Sequence, residues 1–305
     1  MNHIRKHNID TIFVFDQPVW SPAYKYLRKA GVRNIVSYWG APISSINTGI
    51  RLLFKKLDVL FTSGSPDHYI FESNAMAKTA FMGRGIPKSK VSVIYMGVDT
   101  EKYKPVAGKR EYAHEMFNIP HARQIVYYSG HMEERKGVDV LMKAAKHLYD
   151  YCGRRDFHFL ILGNKNNEEQ QYLRMLGESG ACGHVTFGGY RKDVNKILPA
   201  CNIGVIASTG WDSFTMSALE IASSGLPLLV SDLQGLVETI DNGMTGYLFK
   251  PGDYEELSEK IITLIENEEL QRMMGDKARE RILAGFTEQK QIKKLISLLN
   301  MVAAN

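Results

Sequence analysis

The sequence predicts an α/β protein whose parallel sheets are covered by helices on both faces. Three observations lead there. Short apolar runs recur along the chain: TIFVF (11–15), NIVSY (34–38), DVLFT (58–62), VSVIY (91–95), QIVYY (124–128), FHFLIL (157–162), NIGVIA (202–207) and PLLVS (227–231). Helical patterns lie between them at 44–56, 68–82, 138–150, 168–177, 214–224 and 253–267. The runs are continuously apolar rather than alternating, as strands buried on both faces are, and strands that alternate with helices build parallel sheets.

A chain of 305 residues is long enough for two domains. The break is expected near 99–122, where DTEKYKPVAGKR is polar, carries Pro and Gly and precedes a fresh strand. This gives a first domain at 1–105, a second at 106–287 and a C-terminal segment at 288–305. Its helix, with Ile292, Leu295, Ile296, Leu298 and Leu299 apolar, is expected to pack back on the first domain. Only about four strands precede the break, so the first domain reads as incomplete.

Composition narrows the chemistry. Cys152, Cys182 and Cys201 are widely spaced and form no Cys-x-x-Cys, so they read as reduced thiols and not as a zinc or disulfide framework. No apolar run approaches the ~20 residues of a membrane span, and the first ten residues lead into a strand and not into a signal-peptide core. A cytoplasmic protein is expected. Residues 1–105 carry 15 Lys and Arg against 7 Asp and Glu, and the rest of the chain carries 23 against 26. The basic first part suits an anionic surface, so peripheral contact with the inner face of a membrane is one expectation and a merely solvated basic face is the other. The basic residues form no nucleic-acid-binding motif, and no nucleic-acid partner is expected.

Phosphate loops, dinucleotide fingerprints, zinc-protease and nucleophile-elbow motifs are absent, and so is any Asp-x-Asp that could clamp a metal on a diphosphate. No metal and no cofactor are expected. Phosphates, if bound, would be held by cationic side chains and helix N-termini.

The most informative segment is 211–231, WDSFTMSALEIASSGLPLLVS. A strand enters, Asp212 and Ser213 sit in a turn, and a helix is expected to start near Phe214. Its first amides, at Ser213, Phe214, Thr215 and Met216, would be free to face an anion. Asp212 reads as a helix cap, a ligand contact, or both. Glu220 lies between Ala218-Leu219 and Ile221-Ala222. It either faces solvent or is a buried carboxylate that needs hydroxyl donors such as those of a ribose.

Asp212-x7-Glu220 resembles the Glu-x7-Glu motif of glycosyltransferase family 4. YYSGHMEERKGVDVLMKAA (127–145) resembles the same family's Gly-Arg-x4-Lys-Gly turn and helix, with His131 in place of the Arg and Lys136 on the family's lysine. VTFGGYRKDVNKILPACNIGVIAS (185–208), with Gly188, Gly189 and Tyr190, resembles the base-binding turn, and LILGNKNN (160–167) the glycine-ended strand, at Gly163. SYWGAP (37–42) aligns where many relatives carry a His, with Trp39 standing there as a wall for the sugar or as core.

The resemblance implies the GT-B fold, two Rossmann-like domains with parallel sheets. It implies metal-independent, retaining transfer of a hexose from a UDP- or GDP-sugar to a glycan or lipid-linked acceptor, as in polysaccharide biosynthesis. Asp212, Glu220 and Lys136 would be catalytic, with Gly130, His131, Gly163, Gly188, Tyr190, Ser213, Phe214, Thr215 and Met216 around the donor. The alternative is a nucleotide-sugar-binding chain that is inactive or needs a partner chain.

Overall fold

The computed structural model describes residues 1–61, 65–106 and 111–304. They form two compact units, one of Met1–Met96 together with the chain from Gln289 onward, the other Gly97–Glu288. The division falls ahead of residue 105 because the stretch after Gly97 is fastened to the second unit. Arg279 donates to the carbonyls of Thr100 and Tyr103, and Ser223 Oγ donates to Tyr103 at 2.6 Å. Within the expected linker, Ala107–Arg110 lie outside the described residues.

The first unit holds four parallel strands in the order β1-β2-β3-β4: Thr11–Phe15, Asn34–Trp39, His68–Phe71 and Val91–Val93. Four helices accompany them, α1 (Asn2–Lys6), α2 (Pro22–Lys29), α3 (Gly49–Phe61) and α4 (Asn74–Lys78). Parallel neighbours need crossovers, which these helices supply. One face of the sheet packs Val36, Tyr38, Ile70 and Ile94 against Leu298 and Val302 of the C-terminal helix, Glu288–Ala304. The other packs Ile35 with Tyr24 and Val32, and Ile4, Ile12 and Leu27 close over them.

The strand expected at 58–62 is a helix. Ile50, Leu53, Phe54 and Leu57 form a helical stripe, and α3 runs on through Asp58-Val59 to Phe61. Thr62 lies outside the described residues. A short apolar run does not distinguish strand from helix by periodicity alone. The third strand is instead His68–Phe71, inside the stretch expected to be helical from 68. The helix begins only at Asn74, where Ser73 Oγ accepts the Met76 amide.

The second unit is a six-stranded parallel sheet in the order β10-β9-β8-β5-β6-β7. Its strands are β5 (Gln124–Ser129), β6 (Phe157–Leu162), β7 (Val185–Phe187), β8 (Ile203–Ile206), β9 (Leu228–Ser231) and β10 (Gly246–Phe249). The helices are α5 (Tyr112–Phe117), α6 (Val138–Lys146), α7 (Glu169–Leu176), α8 (Val194–Ile197), α9 (Met216–Ser223), α10 (Tyr254–Ile265) and α11 (Glu268–Gly285). Val126, Phe159, Ile161, Val205 and Leu229 from the strands meet Leu141 and Ala144 of α6 and Ile261 of α10 in one core. The chain builds outward from β5 to β7 and then returns to lay β8 on the other side of β5. The strand order therefore reverses between β5 and β8, which leaves a crevice at their carboxyl ends.

Leu298 is 8% exposed and seals the C-terminal helix onto the first sheet. Leu298→Ala is expected to lower the stability of the first unit by about 2 kcal/mol, read as a reduced urea midpoint in its unfolding transition. An unchanged midpoint would show that the helix contributes little there.

Candidate functional site

A cavity of about 240 Å³ opens in the second unit at the β5/β8 crevice. The turn after β5 brings Gly130, His131 and Lys136 to it, and the turn after β8 brings Ser208, Asp212 and Thr215. Arg135 ties these two turns together. Its carbonyl accepts the Thr209 amide at 2.8 Å, and its Nη1 donates to the Trp211 carbonyl at 2.9 Å.

That tie sets Lys136 Nζ 2.8 Å from Asp212 Oδ2, with the side chains only 16% and 9% exposed. Ser208 Oγ donates to the same oxygen at 2.6 Å, and the Ser213 amide donates to Oδ1 at 3.0 Å. A charge-assisted pair with both carboxylate oxygens bonded has one geometry and not several. Lys136 can be this close because Gly137 takes φ +72° against the Ala207 carbonyl, where a Cβ would clash.

Helix α9 starts at Met216, two residues later than expected. Thr215 is its cap, with Oγ1 accepting the Ala218 amide, and it carries no acidic residue in its first turn. The remaining amides of that turn have no intrahelical acceptor and leave a positive end at the cavity. Ser217, from that turn, lines the cavity and donates to the Ser129 carbonyl at 2.9 Å. The late start moves Ser213 and Phe214 out of the helix. The Ser213 amide is taken by Asp212, and the Phe214 ring is buried and stacked on Phe286 at 5.2 Å. Met216 is 38% exposed and does not line the cavity.

Across the crevice the turns after β6 and β7 complete the wall. Gly163, at φ +111°, donates its amide to the Gly189 carbonyl, and any Cβ on it would strike the Gly130 carbonyl. The glycine is therefore what lets the turns after β5 and β6 touch. Tyr190 lines the cavity with its ring largely exposed, and Lys165 Nζ sits 4.7 Å from the ring centroid. Gly188 does not line the cavity; its amide bonds the Ile161 carbonyl and extends the sheet.

Glu220 lies farther along α9 and does not line the cavity. Burial raises its pKa, while a hydrogen bond from Tyr103 and the charge of Lys102 act the other way. Trp39 belongs to the first unit; its indole is buried and its Nε1 donates to Ser37 Oγ at 2.9 Å. Among the described residues no group of three or more His, Cys, Asp or Glu is placed to hold a metal ion.

The lining also includes Lys165, Arg191, Ser208 and Ser217, none of them singled out from the sequence. Arg191 is held by Asp193 at 2.7 and 2.8 Å. Lys136, Lys165 and Arg191 make the cavity lining rich in cationic groups, and His131 adds a ring nitrogen donor. A polyanion of about nucleotide size suits this lining better than a neutral ligand.

Comparison with known proteins bears on which polyanion. The family described as Glycosyl transferases group 1 matches residues 109–281, and the one described as Glycosyltransferase Family 4 matches residues 1–102. An Escherichia coli UDP-Gal:alpha-D-GlcNAc-diphosphoundecaprenol alpha-1,3-galactosyltransferase is 23% identical over 84% of this chain and 65% of its own length. A Campylobacter jejuni N,N'-diacetylbacillosaminyl-diphospho-undecaprenol alpha-1,3-N-acetylgalactosaminyltransferase is 28% identical over 78% of this chain and 60% of its own. The chain thus spans less than two thirds of these relatives. In fold it is similar to a glycosyltransferase from Rickettsia africae, with TM-score 0.87, 20% identity, all of this chain and 79% of that one. It is also similar to Anabaena HepE solved with UDP, with TM-score 0.82, 19% identity, 98% of this chain and 81% of that one.

Two outcomes follow from the geometry. Gly163→Ala is expected to cost about 1–3 kcal/mol through the strained φ and the clash with Gly130, seen as a lower melting temperature; an unchanged one would mean the two turns can part freely. The second concerns Glu220. Its folded pKa lies above its unfolded one, so the folded state holds the proton more tightly. Its contribution is fully present at low pH and is lost as pH rises from about 4.3, the ordinary glutamate value, through the raised folded value. Glu220→Gln should therefore gain stability relative to the parent chain as pH climbs through that window. A difference that stays flat with pH would refute the assignment.

Proposed function

Because the chain belongs to the glycosyl transferases group 1 family, we propose that it moves a hexose from a UDP- or GDP-sugar to a glycan or lipid-linked acceptor, with retention at the anomeric carbon. The observation that carries this reading is the convergence of Lys136, Asp212 and the bare start of α9 on one cationic cavity at the β5/β8 crevice. The two bacterial relatives are named for acceptors on undecaprenol diphosphate, which supports a lipid-linked acceptor and a chain that works peripherally at a membrane. Among the described residues no helix is long and apolar enough to cross one.

In this reaction the sugar–phosphate C–O bond breaks and a bond to the acceptor oxygen forms on the same face. The acceptor's proton passes to the departing phosphate oxygen, so the protein needs no nucleophile of its own. Its task is to stabilise the charge that grows on the leaving diphosphate. Lys136, His131 and the first-turn amides of α9 do this, and Lys165 and Arg191 add positive charge at the rim. Asp212 takes the sugar hydroxyls and fixes the anomeric carbon, held for that purpose by Ser208 and the Ser213 amide. The ribose hydroxyls are assigned to Glu220 on the family resemblance, since its carboxylate is bonded to Tyr103 and does not line the cavity. Tyr190 borders the base.

A second reading has its own support. The chain spans less than two thirds of its curated relatives, its first sheet has four strands, and Trp39 is buried where relatives carry a sugar-facing His. On that reading the chain binds the nucleotide and needs a partner chain for transfer. Donor hydrolysis by the isolated chain separates the two, because UDP binding without hydrolysis or transfer supports the second.

Lys136→Ala is expected to cut turnover about 10²–10³-fold, the usual loss when a charge-stabilising donor is removed. It also leaves Asp212 without its cation, so some stability goes with it. Lys136→Ala with Asp212→Asn should recover that stability and leave turnover lost. Recovery of turnover together with stability would show that Lys136 acts only as a structural partner.

A further inference from the structure

The first unit holds a cavity of about 740 Å³, bounded by α3, by β3 and by the stretch from Phe81 to Lys90. That is the volume of a small-molecule site. Leu52 and Val59 of α3 give it apolar walls, with Phe81 and Ile86 facing them from the stretch that follows α4. Pro66 and Lys88–Lys90 come just before β3 and β4, so the cavity sits at the amino ends of those strands. Ligands of open parallel sheets bind at the carboxyl ends. This is therefore a second kind of site, and nothing in the transfer reaction uses it.

Its polar groups are of one kind. Lys56, Lys88 and Lys90 line it, and no lining residue is acidic. Gly85 takes φ +80° against Lys56, where any Cβ would strike that residue, so the absence of a side chain lets α3 approach and brings Lys56 to the cavity. Lys88 Nζ rests 5.0 Å from the Phe81 ring centroid. The neighbouring acids are already engaged, Asp58 by Arg84 at 2.6 Å and Asp67 by Arg28 at 2.7 Å. Tyr69 of β3 also lines the cavity. It is 1% exposed, and its hydroxyl has no hydrogen-bond partner among the described residues. Burial pushes the pKa of that hydroxyl up, so it stays a neutral donor. A buried donor left unbonded is costly, and an acceptor inside the cavity removes the cost.

We propose that this cavity binds one small amphipathic anion from solution, its phosphate or carboxylate head bonded to Tyr69 and the three lysines and its apolar body lying against Leu52, Val59, Phe81 and Ile86. The lining selects that class. Water satisfies the hydroxyl but leaves the apolar walls wetted. A neutral apolar molecule covers the walls but gives Tyr69 and the lysines no acceptor. A free inorganic anion meets the lysines and fills little of the volume. A molecule with both parts satisfies every group. The site goes beyond the proposed glycosyl transfer and does not depend on it.

Titration calorimetry of the full chain with octyl phosphate and with octanoate, both kept below their micelle concentrations, tests the proposal. At least one should bind saturably, one molecule per chain, and the tighter of the two names the head group. Octanol and inorganic phosphate, each carrying one part alone, should bind at least about tenfold more weakly. Tyr69→Phe should weaken the octyl anion about tenfold, and so should Lys88→Gln with Lys90→Gln. Tyr69→Phe removes only an unbonded hydroxyl, so the ligand-free melting temperature should not fall. Leu53→Ser with Phe54→Ser, on the exposed side of α3, should leave the affinity unchanged. The proposal is overturned by an absence of saturable binding, by octanol binding as tightly as the anions, or by an undiminished Tyr69→Phe variant. It is equally overturned if UDP displaces the probe, which would put the probe in the donor cavity, or if the Ser pair abolishes binding, which would put it on the outer surface.

Discussion

The ion pair between Lys136 and Asp212 organises the site. It joins the turns that follow β5 and β8, the two strands between which the sheet order reverses. Either group alone would be costly at such low exposure, and with Ser208 and the Ser213 amide both oxygens of Asp212 are bonded. In the proposed reaction an entering diphosphate would offer Lys136 a second anion and would free Asp212 for a sugar hydroxyl. The pair therefore joins the two turns and presents both charged groups to the cavity.

The sheet makes this meeting possible. β5 and β8 are distant in sequence and adjacent in space because the return crossover lays β8 beside the first strand of the unit. Gly137 and Gly163 let the turns approach, and Arg135 clips the two that carry the charges. In the first unit the same parallel architecture positions α3 without burying its apolar side, so the two units expose quite different chemistry.

Much of this was legible in the sequence, for physical reasons that differ by element. β5, β6, β8 and β9 were readable because strands buried on both faces must be continuously apolar. β7 and β10 carry partly exposed positions, so their runs lack the continuous burial that made the others readable. At 58–62 an apolar run belonged to a helix that faces outward, the one setting where burial logic points the wrong way. Lys136 and Asp212 came from motif context. Lys165, Arg191 and Ser208 did not, because they are ordinary loop residues that reach the cavity only through the tertiary meeting of separate turns. The two-residue delay in α9 goes with the engagement of the Asp212 carboxylate by Lys136 and Ser208, which leaves Thr215 as the cap.

The most direct test is a crystal structure with UDP bound. The account predicts the β-phosphate within hydrogen-bond distance of Lys136 Nζ and the first-turn amides of α9, with the Lys136–Asp212 contact loosened or shared. A diphosphate held elsewhere, with Lys136 still closed on Asp212 alone, would contradict it.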